Sequence, residues 1–268
     1  MDIGTIIGIV VGIGAILVGY SLEGGNIITL ISHNSPIIIV FGGTFGATIL
    51  SFPISDLKKI PGALKKIFTN KKHDPVAIIN QLAELSEKAR KDGLLSLEQD
   101  AQNNENDLIK KGLALVVDGI ETEVIKDILK REIELRESID ESVAKIFEKM
   151  GGYGPTMGVL GTVMGMVVVL GSMEAEPGGL GEKIATAFLA TMFGVGSANL
   201  IYLPFADRIK QKAESEKMIN DLIIEGLLSI QAGENPRIIK EKLNLALLEK
   251  MSGKGGDKKA ATDAEAEG

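Results

Sequence analysis

Four apolar runs without a single Asp, Glu, Lys or Arg constrain this chain of 268 residues more than any other feature. The hydrocarbon core of a bilayer is about 30 Å thick and an α-helix rises about 1.5 Å per residue, so roughly 20 apolar residues cross it. Each run approaches that length and contains glycine, which membrane helices tolerate. The sequence therefore predicts four transmembrane helices, at about 3–20, 36–54, 155–173 and 184–206.

The basic residues predict how these helices are oriented. Of the 29 Lys and Arg residues, 17 lie in 55–150, 11 lie in 207–268 and the remaining one is Lys183. The short segments 21–35 and 174–182 contain none. Basic loops stay on the cytoplasmic side of a membrane. We therefore expect both charged segments and both termini to be cytoplasmic.

The segment 55–150 predicts a helical cytoplasmic domain. Its first part, 56–68, alternates apolar residues with paired lysines, as in a helix that lies on a membrane surface. One helix is predicted to end near Asp92, and the next to begin at Ser96, whose hydroxyl would cap it within a Ser-Leu-Glu-Gln capping box. An apolar stripe over 121–150 predicts a long helix that runs up to a glycine pair and the third span.

The rest of the chain completes an all-α polytopic membrane protein. Spans one and two occupy 1–54, and spans three and four occupy 151–206. The segment 207–251 continues in helical period and predicts a cytoplasmic helical extension. The tail 252–268 lacks apolar anchors and is predicted to be disordered. No segment shows a convincing strand pattern.

Composition excludes several classes of function. The chain has no Cys, which excludes disulfide-stapled folds, thiol catalysis and thiolate zinc sites. It has two His, and we find no metal-ligand cluster, phosphate loop or nucleophile-base pair, so we expect neither an enzyme nor a bound cofactor or metal. The net charge of −7 argues against a nucleic-acid partner. His33, in the first short loop, is predicted to be solvated.

The missing charges also limit what the spans can do. An ion-coupled transporter or pump needs an ionisable side chain in its membrane path, because a bare ion does not cross hydrocarbon unaided. Either this chain carries no ion, or the titratable group lies on a partner helix that the chain surrounds. Small residues in the third and fourth spans would allow close helix contact: Gly158, Gly161, Gly165, Gly171, Gly194, Gly196 and Ser197.

Three motifs, in order, resemble the A subunits of the bacterial flagellar motor stator, the MotA/PomA family. The first is Lys-Ala-Arg-Lys-Asp-Gly-Leu-Leu-Ser-Leu-Glu at 88–98, the second is Tyr-Gly-Pro-Thr-Met-Gly-Val-Leu-Gly-Thr-Val-Met-Gly at 153–165, and the third is the whole fourth span up to Asp207. The similarity extends to about residue 250. The related ExbB/TolQ family shares the third and fourth spans, but usually has three spans and lacks the Arg-x-x-Gly-x-x-Ser-x-Glu element.

The resemblance implies a function in motility and chemotaxis. Five A subunits would form a ring around two MotB/PomB-like B subunits, whose single helices carry an ion-binding Asp. Ion flow, of protons in preference to sodium, would turn the ring and drive the rotor through its switch protein FliG. The complex would lie among the lipids of the bacterial inner membrane. Two alternatives stay open: an ExbB/TolQ-like ion-driven energiser of an envelope partner, and a membrane scaffold that conducts nothing.

Four residues match family positions outside the ion site itself. Arg90 and Glu98 correspond to the charged pair that the family uses against the rotor. A structural role is compatible with this, because a cation at a helix end and an anion at a helix start are each favoured by about 0.3–1 kcal/mol. Pro155 and Pro204 match prolines that flank the channel helices. Pro155 also fits a helix start, whereas Pro204 lies inside a predicted helix and would bend it.

Thr162 and Thr191 match polar positions near the ion path of the family. Their hydroxyls could accept a hydrogen bond from a protonated Asp or coordinate a dehydrated ion. Threonine can also satisfy itself by bonding its own helix backbone, so a purely structural role remains an alternative.

Overall fold

The computed structural model describes residues 3–69, 74–173 and 179–250. Its regular elements in these ranges are helices, and no strand occurs among them. Four of the helices are long and apolar enough to cross a membrane: Ile3–Leu22, Asn34–Ser51, Thr122–Ser172 and Leu180–Gln231. The predicted all-α fold with four spans is therefore confirmed. The tail 252–268, predicted to be disordered, lies outside the described residues.

Proline sets the end of the second span. The helix ends at Ser51, before the predicted end at residue 54, because Phe52 adopts an extended conformation with φ −130° and ψ 143°. Phe52 precedes Pro53, and the proline ring disfavours helical geometry in the residue before it. The chain resumes a helical turn only at Ile54–Leu57.

The predicted break before the third span does not occur. Thr122–Ser172 is one helix of 51 residues, and Pro155 lies inside it instead of at its start. A glycine in a helix costs only about 1 kcal/mol relative to alanine, so a glycine pair does not by itself end one. Gly151 is buried, and a Cβ there would collide with Leu203 of the fourth span's helix. Close helix packing therefore offsets the poor helix propensity of this segment.

The fourth span is also part of a longer helix, as predicted. Leu180–Gln231 is continuous, but it widens into a π-turn at Ala198–Tyr202, just before Pro204. There the Leu203 N–H donates to the Ala198 carbonyl, one residue further back than in an α-helix. A π-turn changes which carbonyl each backbone N–H bonds, and here it lies next to Pro204, which has no N–H to donate.

The remaining helices have 18 residues or fewer. By contacts, the chain divides into two compact units, Met1–Asn70 with Ile139–Lys212 and Lys71–Ser138 with Ala213–Gly268. The first unit contains the four spans. The other helices are Ile27–Ser32, Ile60–Phe68, Pro75–Asp92, Glu98–Asn103, Asp107–Val117 and 236–250, with a 3₁₀ turn at Leu94–Leu97.

The second unit has a core like that of a soluble helical domain. Gly112 lies in its centre, where a Cβ would be 3.3 Å from a methyl group of Leu129 and still closer to Leu227. Burial of each such leucine stabilises the domain by about 1.5–3 kcal/mol. The fully buried members include Leu82, Leu97, Ile109, Leu113, Ile125, Leu129, Leu222 and Ile223.

The apolar face of helix Ile60–Phe68 packs on the protein: Ala63 and Ile67 are buried against the third and fourth helices, and Lys212 Nζ donates to the Lys66, Ile67 and Thr69 carbonyls at 2.7–2.8 Å. The Lys212 ammonium thus provides hydrogen bonds to backbone carbonyls at the end of this helix. The position of this helix at a membrane surface stays a prediction.

The predicted helix cap at Ser96 is wrong. Its hydroxyl donates backwards to the Gly93 carbonyl at 2.6 Å, and the helix begins at Glu98 without a side-chain cap. The predicted helix end at Asp92 is confirmed, because Gly93 follows with φ +83°, a conformation that favours glycine.

Candidate functional site

The third and fourth spans approach each other backbone to backbone. A Cβ on Gly158 would lie 2.9 Å from the Ala190 carbonyl oxygen and 3.1 Å from Thr191 Cα. A Cβ on Gly165 would lie 3.0 Å from Ala187 Cα. Only small residues permit this spacing, which is how helices associate in a membrane.

Within one copy of the chain, some of these small residues lie at a helix contact and others do not. Gly171 and Gly196 have no heavy atom within 4 Å of where a Cβ would sit. Gly154, which the sequence interpretation missed, belongs to the contact, since its Cβ would lie 3.0 Å from the Gly194 carbonyl oxygen. The signal was helical spacing: Gly154 and Gly158 share one face with Gly161 and Gly165, whereas Gly171 falls off it.

Thr162 and Thr191 meet across this contact. Their hydroxyl oxygens are 2.6 Å apart, and Thr162 Oγ1 also lies 3.1 Å from the Gly158 carbonyl and 3.0 Å from the Ala187 carbonyl. A hydroxyl has one proton, so if Thr191 donates to Thr162, the Thr162 proton is left for a carbonyl. The half-buried pair then has lone pairs that can accept from a further group.

The two prolines lie in different environments. Pro155 is half-buried inside the third helix, and Pro204 is exposed in the fourth. Beside Pro155, the Tyr153 hydroxyl lies 2.8 Å from Ser51 Oγ, which links the second and third spans. Thr156 Oγ1 donates to the Tyr153 carbonyl at 2.8 Å. Residues close to Pro155 in the chain thus make polar contacts, whereas Pro204 follows the π-turn.

Arg90 and Glu98 are exposed on the second unit. Arg90 is in the last turn of Pro75–Asp92, and Glu98 begins the next helix. Neither forms an ion pair or hydrogen bond within the described parts of the chain. Their neighbour Lys91 pairs with Glu87 at 2.6 Å, and that hydrogen bond raises the pKa of the Lys91 ammonium. Arg90 and Glu98 therefore keep charges that are available to a partner.

His33 is not simply solvated, as the sequence had suggested. It is half-buried, and its Nδ1 lies 3.3 Å from Thr186 Oγ1 on the fourth helix. It follows Ile27–Ser32 and directly precedes the second span, so the chain turns here against the start of the fourth helix. Among the residues with described positions, no group of three or more His, Asp or Glu side chains could hold a metal ion.

Comparison with known proteins gives matches along almost the whole chain. Residues 6–93 match the family described as motility protein A N-terminal, and residues 100–222 match the MotA/TolQ/ExbB proton channel family. The chain is 34% identical over 248 residues to motility protein A of Bacillus subtilis, covering 92% of this chain and 91% of that one. It is 32% identical over 243 residues to the chemotaxis protein PomA of Vibrio alginolyticus, covering 91% and 94%.

Solved structures agree with these sequence matches. A chain in the structure of C. jejuni MotAB superposes with a TM-score of 0.86 at 30% identity, over 92% of this chain and 96% of that one. A chain in the flagellar MotAB stator complex from Bacillus subtilis superposes with a TM-score of 0.82 at 34% identity, over 89% and 93%.

Proposed function

Because the chain belongs to the motility protein A family of flagellar motor stator subunits, we propose that five copies of it surround two copies of a MotB-like B subunit. The absence of an ionisable side chain from all four spans carries the need for a B subunit, and the count of five and two follows the family resemblance. A single B helix with an Asp in the membrane would supply the missing titratable group. The solved relatives support it, since both are described as MotAB.

The contact between the third and fourth spans is the proposed wall of the ion path. Hydroxyl lone pairs at Thr162 and Thr191 would accept from a protonated Asp of the partner or help to coordinate a dehydrated ion. We favour the proton over sodium as the transported ion, in keeping with the description of the matched family. No cofactor is required, and no catalytic role is proposed.

The complex is proposed to lie in the bacterial inner membrane with both termini in the cytoplasm. Both long basic segments support this orientation. The second unit would then face the rotor, and its contact with FliG would use Arg90 and Glu98. The energiser alternative explains less, because residues 6–93 match a family of motility proteins.

Charge reversal tests the rotor contact. In cells that carry Arg90→Glu, we expect swimming speed to fall by at least about tenfold, because a like-charge contact replaces an attraction worth about 1.4 kcal/mol or more. The amount of complex in the membrane should not change, since surface substitutions usually cost under about 0.5 kcal/mol.

Arg131→Glu is the matched control. Arg131 is also exposed on the second unit and has no described partner, so swimming should persist. A rescue experiment replaces an acidic FliG residue with a basic one, which should restore swimming to the Arg90→Glu strain. If Arg90→Glu instead removes the protein from the membrane, or leaves swimming unaltered, Arg90 is not the contact.

A bend at Pro204, at the cytoplasmic edge of the membrane, is proposed to couple the ion site to the cytoplasmic unit, and this role has its own test. In Pro204→Leu, the restored N–H can bond the Leu200 carbonyl, remove the need for the π-turn and straighten the helix. We expect an unchanged yield of assembled complex and a swimming speed reduced by at least about half. A twofold effect corresponds to only a small free-energy difference. Yield and speed are measured in the same strain. Normal yield with normal speed would reduce Pro204 to a tolerated kink.

A further inference from the structure

The helix 236–250 of the second unit is apolar on two opposite faces. One face is buried in the core of that unit and consists of Ile239, Leu243 and Leu247. The opposite face carries three apolar residues that are 56–62% exposed: Ile238, Leu245 and Leu248. A helix on the outside of a globular unit normally presents polar residues on that face. The exposed apolar face therefore indicates that another surface packs against it.

The first part of the helix Thr122–Ser172, in the same unit, has a similar double character. Its inner face is buried in the core and includes Ile125, Leu129 and Ile133. On its outer side, Val124 and Leu135 are 44% and 64% exposed and Ile128 is half-buried. Spacings of four and seven residues place these three on one side of the helix. We call them the first stripe, and Ile238, Leu245 and Leu248 the second stripe.

Each stripe contains one charged residue, and the two charges are opposite. Arg131 lies in the first stripe, three residues after one apolar member and four before the next, and Glu241 has the same place in the second. Both residues are exposed. Among the residues whose positions the structure gives, neither side chain has an ion-pair or hydrogen-bond partner. The two stripes are therefore complementary in charge as well as in apolar character.

The stripes match residue for residue when the two helices run antiparallel. With Arg131 opposite Glu241, the facing apolar pairs are Leu135 with Ile238, Ile128 with Leu245, and Val124 with Leu248. Each pair is offset along the axis by at most about 1.5 Å, the rise of one residue. The same alignment brings together Glu134 and Arg237, two more exposed side chains that have no partner among the described residues. A parallel alignment separates this second charge pair and leaves one apolar residue of each stripe unopposed.

A second copy of the chain carries the complement of each stripe. Because the two stripes are different surfaces, their contact joins copies head to tail, and contacts of this kind generate rings. We propose that the first stripe of one copy packs antiparallel against the second stripe of the next copy. Ion pairs of Arg131 with Glu241 and of Glu134 with Arg237 flank the apolar contact. The proposal rests on the proposed function for the ring of copies, and it adds the surfaces through which the second units meet.

The apolar residues contribute more to this interface than the charges do. Burial of a leucine or isoleucine stabilises a contact more than an exposed ion pair does. Reversal of the Arg131 charge alone leaves the apolar contact and the pair of Glu134 with Arg237 in place. The ring therefore still forms in Arg131→Glu, and this variant remains suitable as the motility control for Arg90→Glu.

The interface is tested by disulfide cross-linking, for which the chain is well suited because it contains no Cys. The double variant Ile128→Cys/Leu245→Cys is produced with a cysteine-free B subunit, and the complex is oxidised in the membrane. A disulfide requires Cα atoms within about 7 Å, so facing positions should link neighbouring copies into a ladder of dimers and longer products. Each single-cysteine variant should stay monomeric, because the proposed contact joins different surfaces.

The matched control uses the same two stripes at positions that do not face each other. In Leu135→Cys/Leu248→Cys, the two cysteines lie about 16 Å apart along the axis of an antiparallel pair, and this variant should stay monomeric. A parallel pair would link it instead. All four positions are on outer faces, and reduced samples should contain equal amounts of each variant.

The charge pairing is tested in the Ile128→Cys/Leu245→Cys chain. Adding Arg131→Glu should lower the yield of linked chains by about threefold, and adding Glu241→Arg as well should restore it. No ladder, links in the Leu135→Cys/Leu248→Cys control, dimers from a single-cysteine variant, or no restoration by the charge swap would overturn the proposal. Copies in the reduced complex are counted by native mass spectrometry. Five copies without cross-links would refute this interface and leave the proposed function standing, whereas another count would refute the proposed ring itself.

Discussion

A single methyl group added at Gly194 is expected to remove most of the folded protein from the membrane. In Gly194→Ala, the new Cβ would lie 3.0 Å from Gly158 Cα and closer still to the Gly154 carbonyl oxygen. Both obstacles are backbone, so no side chain can rotate away, and the third and fourth spans must separate. Overpacking costs about 1–3 kcal/mol where neighbours can yield, and here we expect at least the upper value.

The same change at Gly196 is the control. No heavy atom lies within 4 Å of a Cβ there, so Gly196→Ala should leave the protomer intact. Both variants are compared by the amount of protein in the membrane and by its resistance to protease. Equal amounts of the two variants would contradict the close packing of the third and fourth spans.

Vesicles that contain this chain without its B subunit are expected to show no proton or sodium flux above the background of the lipid. The spans contain no Asp, Glu, Lys or Arg, and threonine hydroxyls such as those of Thr162 and Thr191 do not ionise at neutral pH. Flux is measured with a pH-sensitive dye and with radioactive sodium.

Two comparisons make the flux experiment decisive. Vesicles with both subunits should conduct, and vesicles in which the membrane Asp of the B subunit is replaced by Asn should not. Flux through the chain alone would show that it provides its own ion path. Silence of the complete complex would favour the scaffold alternative.

Much of the fold could be predicted from composition along the chain. The thickness of the hydrocarbon determines the length of a span, and its low polarity excludes charged residues. The four helices were therefore recognisable without any tertiary information. The helix end at Gly93 was also predictable, because glycine adopts the positive φ of a helix end more easily than other residues, as it does here. The errors arose where local signals competed with packing. Ser96 had the spacing of a helix cap, and Pro155 followed a glycine-rich stretch in a way that is typical of the first turn of a helix.

For the candidate site, too, some properties could be predicted from the sequence and others depended on the tertiary structure. The sequence by itself determined that the spans carry no titratable group, that Thr162 and Thr191 are polar in apolar surroundings, and that Arg90 and Glu98 flank a turn. These are properties of residue type and spacing. Only the tertiary structure decided that the two threonine hydroxyls lie 2.6 Å apart and that Gly154 and Gly194 touch while Gly196 does not. A helix pattern specifies which residues share a face, but the rotation and distance between two helices depend on how all their side chains interlock.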